Sequence, residues 1–484
     1  MILEEILKIL KKKSDQKAYT VNNKSYTYKE LYKYVCNLYN FLLEKNPEKK
    51  PIIVQGHKDI YMKAIFLACS LAGMTYVPVD KNMPEDRKEN IAEQINPGLI
   101  IEKDISKDEI EQIMINKNEK DIDKIYMKPQ DTYYIIFTSG STGKPKGVEI
   151  TYENLDSCVN WLRNIVKVKN GVILNQANFS FDLSVADLYL SLITESEQYI
   201  IDNTSQFDFK NIYDNLERSQ ANVMIATPSY LDLLLIDKQF NKTMLPKLNT
   251  ILFCGEKLEK NTVSKIYERF ENIEIINCYG PTECTFAVTN VRIDRNNIEE
   301  DISIGIPKED VEIYIVDENL KNVPEGTSGE ILITGKSVAK GYVGNTKSKA
   351  FINFNGKRAY LTGDVGFYKN GKLYCEGRKD NQIKYKGYRI ELEDIENNLK
   401  KIKYIENVVV LTKENQIGKV INLFAYVILK GDINKDTYEV EKDIKKILPI
   451  YMCPKVKIVK SFPLNLNGKC DKRRLMEEWK WKKR

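Results

Sequence analysis

The sequence is short of histidine. A single residue, His57, stands among 484, so Ser-His-Asp or Cys-His catalysis would have to draw on that one imidazole, and a multi-histidine metal site is excluded. Because it ends an apolar strand pattern, 52–56, a structural role is expected for it. Nine cysteines, an odd number with no CxxC pair, suit a reducing cytosol better than a disulfide framework. No apolar run approaches the ~20 residues that would span a bilayer. The opening Met1-Ile2-Leu3-Glu4-Glu5 lacks the basic flank and apolar stretch of a secretion signal. A cytoplasmic protein without membrane insertion is expected. Charge of one sign is lacking too: 74 basic against 68 acidic residues leave +6, no argument for nucleic acid. The basic residues Lys472-Arg473-Arg474 and 480–484 read as a solvated tail. Repeats and low-complexity linkers are missing as well, and at this length two or more domains are expected.

What is present is alternation. An amphipathic helix over 3–10, a hairpin over 18–28 and a helix over 29–43 open the chain. Strand 51–55, helix 59–72 and strand 75–79 form a βαβ unit, and strand 98–102 precedes a Lys/Asp/Glu-rich stretch, 103–125, that reads as a solvated connection. Strands at 172–175, 198–202, 223–226, 250–254 and 274–277 alternate with helices, which predicts doubly wound parallel sheets with the site at strand ends. Over 302–378 short strands with Gly turns suggest an antiparallel or barrel-like piece. Beyond Gly377-Arg378-Lys379-Asp380 lies a small α+β domain of ordinary size.

The densest chemistry lies at 138–147. An apolar run, 133–137, reads as a buried strand that empties into Thr138-Ser139-Gly140-Ser141-Thr142-Gly143-Lys144-Pro145-Lys146-Gly147. Glycines let backbone N–H groups turn toward an anion, while hydroxyls and ammonium groups add donors, which makes a phosphate grip. It is not a Walker A loop, because Pro145 stands where Ser or Thr would bind Mg²⁺. Composition alone leaves open a flexible surface loop. The ten-residue string resembles the signature loop of the adenylate-forming superfamily: acyl-CoA synthetases, luciferases and the adenylation domains of peptide synthetases. Ala72-Gly73-Met74-Thr75-Tyr76-Val77-Pro78-Val79-Asp80 resembles an earlier motif of the same superfamily.

By residue type, Asp182 in Phe179-Ser180-Phe181-Asp182-Leu183-Ser184-Val185-Ala186-Asp187 reads equally well as a helix N-cap. The segment is similar to that of amino-acid-activating adenylation domains, and the resemblance implies that Asp182 pairs with the substrate ammonium. An uncharged acyl substrate could not satisfy that buried carboxylate. Aligned motifs imply a pocket of Asp182, Leu183, Ala186, Ile225, Leu252, Cys254, Cys278, Phe286 and Ala287.

Further resemblances assign the nucleotide. Gly255 and Glu256, after Leu252-Phe253-Cys254, would lay flat backbone against adenine. Asn277-Cys278-Tyr279-Gly280-Pro281-Thr282-Glu283 is similar to the family's adenine and metal segment, with Asn277, Tyr279 and Gly280 at the nucleotide. Tyr279 would stack on the ring, Thr282 bind the α-phosphate and Glu283 hold Mg²⁺, which prefers carboxylate oxygen. Asp364 would accept the ribose hydroxyls with Arg378 as a second contact, and Asp380 would be the hinge. The segment Lys384-Tyr385-Lys386-Gly387-Tyr388-Arg389 resembles the one that swings in to face the acceptor thiol, and Pro463-Leu464-Asn465-Leu466-Asn467-Gly468-Lys469 resembles the terminal motif that delivers the catalytic lysine.

The resemblance covers 26–469, essentially the whole chain. It implies an α/β fold with a large N-terminal AMP-binding domain, 1–379, of doubly wound parallel sheets plus a small barrel-like β piece. A small, mobile α+β C-terminal domain, 380–484, carries Lys469. The motifs around Asp182, Cys254 and Gly56-His57 look like the branch that uses ATP and Mg²⁺ to load D-alanine onto a carrier protein for teichoic acid alanylation. The chain ends 15 residues after Lys469, so the phosphopantetheine-bearing carrier is expected in trans. A stand-alone peptide-synthetase-type enzyme for another apolar amino acid is the main alternative. An acyl-CoA or aryl-acid ligase fits Asp182 poorly, and a non-catalytic ATP-binding regulator would be expected to lack Lys469 or Glu283.

Overall fold

The computed structural model describes residues 1–116, 120–140, 143–201, 208–344, 348–415, 418–431, 433, 435–463 and 470–478. Parallel strands joined by helices build its two largest sheets. The nine-stranded one runs in the order Ile306–Pro307, Thr289–Arg292, Glu274–Tyr279, Thr250–Phe253, Val223–Ala226, Val172–Asn175, Glu197–Ile200, Lys17–Val21, Lys24–Thr27. The strands from Glu274–Tyr279 to Lys17–Val21 are parallel, and antiparallel strands occur only at the edges. Side chains alternate between the faces of a strand. Ile225, Leu252 and Ile276 therefore enter one buried cluster, while Met224, Ile251 and Ile275 enter another.

The six-stranded sheet runs Gly341–Tyr342, Lys146–Thr151, Thr132–Thr138, Tyr76–Asp80, Ile52–Gly56, Leu99–Ile101. The helix Ile60–Ala72 links two of its parallel strands and is buried at every position. It is mostly apolar, as a helix with no solvent face must be, with Lys63 and Ser70 the buried polar exceptions. The β-rich stretch is a five-stranded antiparallel sheet built from Val311–Val316, Gly329–Gly335, Phe351–Phe354, Lys357–Lys369 and Lys372–Arg378.

The chain divides into two compact units. One comprises Met1–Lys81, Ile91–Phe137 and Gly147–Lys379; the other comprises Asn82–Asn90, Thr138–Lys146 and Asp380–Arg484. The second unit has its own core, including Ile390, Ile395, Leu399, Val410, Val427 and Ile444. Among the described residues no helix is long and apolar enough to cross a membrane.

One expectation fails locally. The stretch read as a solvated connection contains the helix Lys107–Ile115, whose Ile110 and Met114 are buried. Ser106 and Glu109 form a reciprocal capping box at its start. The high charge of the window hid both the i, i+4 apolar pair and the Ser-x-x-Glu signal.

A polar network lies buried inside the first unit. Asp187 accepts hydrogen bonds from Asn175 Nδ2 at 2.9 and 3.0 Å and from Gln198 Nε2 at 2.6 Å. Gln198 Oε1 accepts in turn from Lys63 Nζ at 3.0 Å. Burial pushes the Asp187 carboxyl up to about 7 and the Lys63 ammonium down to about 7. Folded Asp187 thus keeps a proton that the unfolded chain releases near 3.8. Between those values the folded state binds more protons, so this group's contribution to stability falls as pH rises from 3.8 to about 7. Asp187→Asn should remove that decline, up to ~1.4 kcal/mol per pH unit. Urea midpoints between pH 4 and 7 check it, and an unchanged slope would count against the assignment.

Candidate active site

The phosphate-grip loop belongs to the second unit. Glycine at 140 is dictated by packing, because a Cβ there would lie 2.2 Å from the Lys144 carbonyl oxygen. Gly143 has φ +78°, a left-handed backbone that favours glycine, and donates its N–H to the Gly140 carbonyl at 3.0 Å. Ser139 Oγ donates to the Arg389 carbonyl at 2.9 Å and accepts from the Glu391 N–H at 3.1 Å. Asn398 Nδ2 donates to the Gly143 carbonyl at 3.4 Å. Thr138 ends one strand and Lys146 begins the next, with Lys144 exposed between them. Ser141 and Thr142 lie outside the described residues, as does Lys469. Asp380 is exposed, at the start of the unit's last segment, and its carboxylate accepts from the Gln382 N–H at 3.1 Å.

In the first unit Asp182, Gly255 and Tyr279 lie at or just past the C-terminal ends of parallel strands, where open α/β sheets bind ligands, while Asp364 and Arg378 come from the antiparallel sheet. Tyr279 ends the strand Glu274–Tyr279 and donates its phenol to Asp364 Oδ2 at 2.6 Å. Arg378 Nη1 donates to the other oxygen, Oδ1, also at 2.6 Å, because Asp364 and Arg378 are register partners on antiparallel strands. The three residues expected at adenine and ribose are thus joined, with the Tyr279 ring anchored by its own hydroxyl. Burial raises the Tyr279 pKa well above 10.0, so the phenol remains a donor.

Gly255 has φ +95°, which turns the chain sharply after Cys254. Glu256 directs its carboxylate away to accept the Ser229 N–H at 2.9 Å, in the first turn of the helix Pro228–Leu234. Asn277 is buried, and its amide donates to the Ser303 carbonyl at 2.9 Å.

Pro281 leads into a 3₁₀ turn, Thr282–Cys284, with Thr282 half-buried and Glu283 buried. Glu283 Oε1 accepts from the Tyr342 hydroxyl at 2.6 Å, and Tyr360 lies 3.4 Å beyond, hydroxyl to hydroxyl. Sequence reasoning missed Tyr342: it is 59 positions away on another sheet, and no local pattern links it to Glu283. A buried carboxylate oriented by a phenol is a hard oxygen donor, which suits Mg²⁺.

Thr285 and Phe286 then both adopt left-handed backbone, φ 58° and 71°. Such conformations cost roughly 1–3 kcal/mol each in non-glycine residues and persist where surroundings hold them. Here Thr285 Oγ1 donates to the Ser337 carbonyl at 2.9 Å. Gly280 makes room for the same turn, since a Cβ on it would lie 2.5 Å from Ala287 Cα.

Leu183, Ala186, Ile225, Leu252, Cys254, Cys278, Phe286 and Ala287 all fall in one buried cluster. Strand alternation explains part of this, because Ile225, Leu252 and Cys278 share one face of the nine-stranded sheet. Cys254 Sγ approaches the Phe286 carbonyl at 3.8 Å. Asp182 sits at the N-cap of the helix Leu183–Ile193 and is half-buried, yet its side chain makes no capping hydrogen bond. Its charge is felt by Tyr134 and Cys158, both buried. The N-cap reading of Asp182 therefore lacks the bond that defines it.

The family model of the AMP-binding enzymes matches residues 8–343. A D-alanine–D-alanyl carrier protein ligase of Listeria monocytogenes serotype 4a (strain HCC23) is 40% identical over 505 residues, covering 99% of both chains. The protein of that name from Bacillus anthracis (strain CDC 684 / NRRL 3495) is 37% identical over 500 residues, again covering 99% of each. Among solved structures, the Vibrio cholerae adenylation domain AlmE, in complex with glycyl-adenosine-5'-phosphate, superimposes with a TM-score of 0.86 at 22% identity, covering 99% of this chain and 98% of its own. The amide bond synthetase McbA of Marinactinospora thermotolerans gives a TM-score of 0.84 at 19% identity, covering 98% and 99%. With the family model spanning most of its length and such relatives matching from end to end, this chain belongs to the AMP-binding enzyme family.

Proposed function

We propose that the chain uses ATP to activate D-alanine as its aminoacyl-adenylate and passes it to the phosphopantetheine thiol of a separate carrier protein, as in teichoic acid alanylation. The observation that carries this reading is Asp182, a half-buried carboxylate without a capping bond beside a buried apolar cluster. It suits a substrate with an ammonium group and a small apolar side chain; a charged side chain would be buried unpaired at a cost of several kcal/mol. The names of the relatives support the same reading. ATP supply and nine free cysteines suit the cytoplasm.

In the first half-reaction a carboxylate oxygen of D-alanine attacks the α-phosphorus, and the bond to pyrophosphate breaks as the new O–P bond forms. Asp182 holds the ammonium, Asp364 and Arg378 the ribose, Tyr279 and the Gly255-Glu256 backbone the adenine. Thr282, Lys469 and the loop 138–147 hold the phosphates, so positioning and electrostatics carry the step. Glu283, oriented by Tyr342, would hold Mg²⁺, which when bound offsets charge on phosphate oxygens. In the second half-reaction the thiol sulfur attacks the acyl carbon, AMP leaves with the electron pair of the broken C–O bond, and the thiol proton is released. The change of groups between halves is assigned to rotation of the 380–484 domain about Asp380, which takes Lys469 out and brings 384–389 in.

ATP–pyrophosphate exchange with D-alanine, L-alanine, larger apolar amino acids, a fatty acid and an aryl acid tests the reading. D-Alanine should be turned over best, and Cys254→Ala should narrow its lead over L-alanine. A single methyl group is worth only ~1–3 kcal/mol in such a pocket, so L-alanine should be a weak substrate rather than none. Exchange with a larger amino acid and none with D-alanine would transfer the assignment to the peptide-synthetase-type alternative.

A further inference from the structure

The Asp182 carbonyl accepts the Val185 N–H at 3.0 Å, but the side chain makes no capping bond to that helix. The turn that presents it is also held from the other parallel sheet. Lys58, two residues past the strand Ile52–Gly56, is 2% exposed. Its Nζ donates to the Gln176 carbonyl at 2.7 Å and the Ile201 carbonyl at 2.9 Å. Those carbonyls each lie one residue beyond the neighbouring strands Val172–Asn175 and Glu197–Ile200, so a single ammonium ties both strand ends to the 56–59 corner. Beside it, His57 Nδ1 lies 3.0 Å from Asp80 Oδ2, and that same oxygen accepts a hydrogen bond from Asn178 Nδ2. Asn178 then shapes the turn: its carbonyl accepts the Phe181 N–H at 2.9 Å and its Oδ1 accepts the Ser180 N–H at 3.3 Å. Asp182 follows directly.

A buried ammonium that donates to two carbonyls forfeits hydration that these bonds return in part. An apolar side chain would pack there without that loss, whereas an ammonium can locate two carbonyls at once. The lone histidine closes the second tether. We propose that Lys58 and the His57–Asp80–Asn178 chain are positioning residues, which hold the turn 176–182 so that Asp182 meets the substrate ammonium. This rests on the reading of Asp182 given above.

The test is pyrophosphate exchange by full-length Asn178→Ala, Asp80→Asn, Lys58→Met, Lys58→Arg and Asp182→Asn, with KM for D-alanine and for ATP determined separately. Asn178→Ala and Lys58→Met should raise the D-alanine KM by on the order of 10-fold to 100-fold, the cost of a small misplacement of a binding group. The ATP KM should stay near wild type, and Lys58→Arg should recover part of the loss. In the Asp182→Asn background Asn178→Ala should add nothing. Should Lys58→Met fail to fold, Asn178→Ala and Asp80→Asn decide alone. Equal rises in both KM values, or an unchanged D-alanine KM in a folded Asn178→Ala, overturn the proposal. If Asp182→Asn itself leaves the D-alanine KM unmoved, the ammonium assignment falls and takes the proposal with it; if Asp182→Asn raises it and Asn178→Ala does not, only the positioning role fails.

Discussion

Lys469→Ala abolishes adenylate formation while thioester formation from supplied alanyl-adenylate largely survives: this is the largest effect expected. The motif 463–469 closes with Asn467-Gly468-Lys469, and Asn-Gly is a pair that favours tight turns. A lysine ammonium is a compact point charge able to bridge the substrate carboxylate and the α-phosphate. Removing a preorganised charge from a developing oxyanion costs ~3–4 kcal/mol, a 10²–10³-fold loss of rate. Only the first half-reaction develops that charge, so only that half should suffer. Asp380→Pro should show the opposite pattern, because proline locks φ near −65° and a hinge must change it. With the adenylating arrangement frozen, exchange persists and thiol transfer is impaired. Pyrophosphate exchange and transfer from synthetic alanyl-adenylate separate the two variants; equal loss of both halves in Lys469→Ala would remove its assigned role.

The second large effect is expected at Asp364. Its side chain is 3% exposed and that of Arg378 11%, and its two oxygens take the guanidinium and the Tyr279 phenol. Asp364→Ala takes one acceptor each from a guanidinium and a buried phenol. Breaking a buried charge pair from one side typically costs ~3–5 kcal/mol. The same change removes the proposed ribose acceptor and the anchor of the ring proposed to face adenine, so the ATP KM should rise sharply as well. Asp364→Asn keeps the shape but turns an amide N–H₂ toward one of two donors, and should fall between. Urea denaturation and the ATP KM check both halves of the expectation. Wild-type stability in Asp364→Ala would mean that these two bonds contribute nothing to the fold.

Alternating strands and helices over 51–102 and 172–277 were legible because burial on both faces leaves near-continuous apolar runs. The helix Lys107–Ile115 was not, since its charged residues outnumber the two that anchor it. At the candidate site the same division holds. Glycines at 140 and 143 could be read as turn-formers because φ and steric room are local properties of the chain. The partner of Glu283 could not, because Tyr342 reaches it across 59 residues through the pairing of Gly341–Tyr342 with Lys146–Thr151. His57 was expected to be structural, and nothing in its neighbourhood of sequence pointed to Asp80 or Asn178.

By itself the sequence determined the chemistry available: a phosphate-type loop, a carboxylate at 182, another at 364, one histidine, and the order of α/β units that carries them. These follow from residue type and from periodicities of two and 3.6, which act over a few bonds. Tertiary structure alone decided which of those groups meet. Asp364 and Arg378 converge because two strands pair in one register, Tyr279 joins them from another sheet, and Lys58 reaches Gln176 and Ile201 because two sheets present their strand ends together. Convergence of that kind depends on packing between elements far apart in the chain, and no local pattern encodes it.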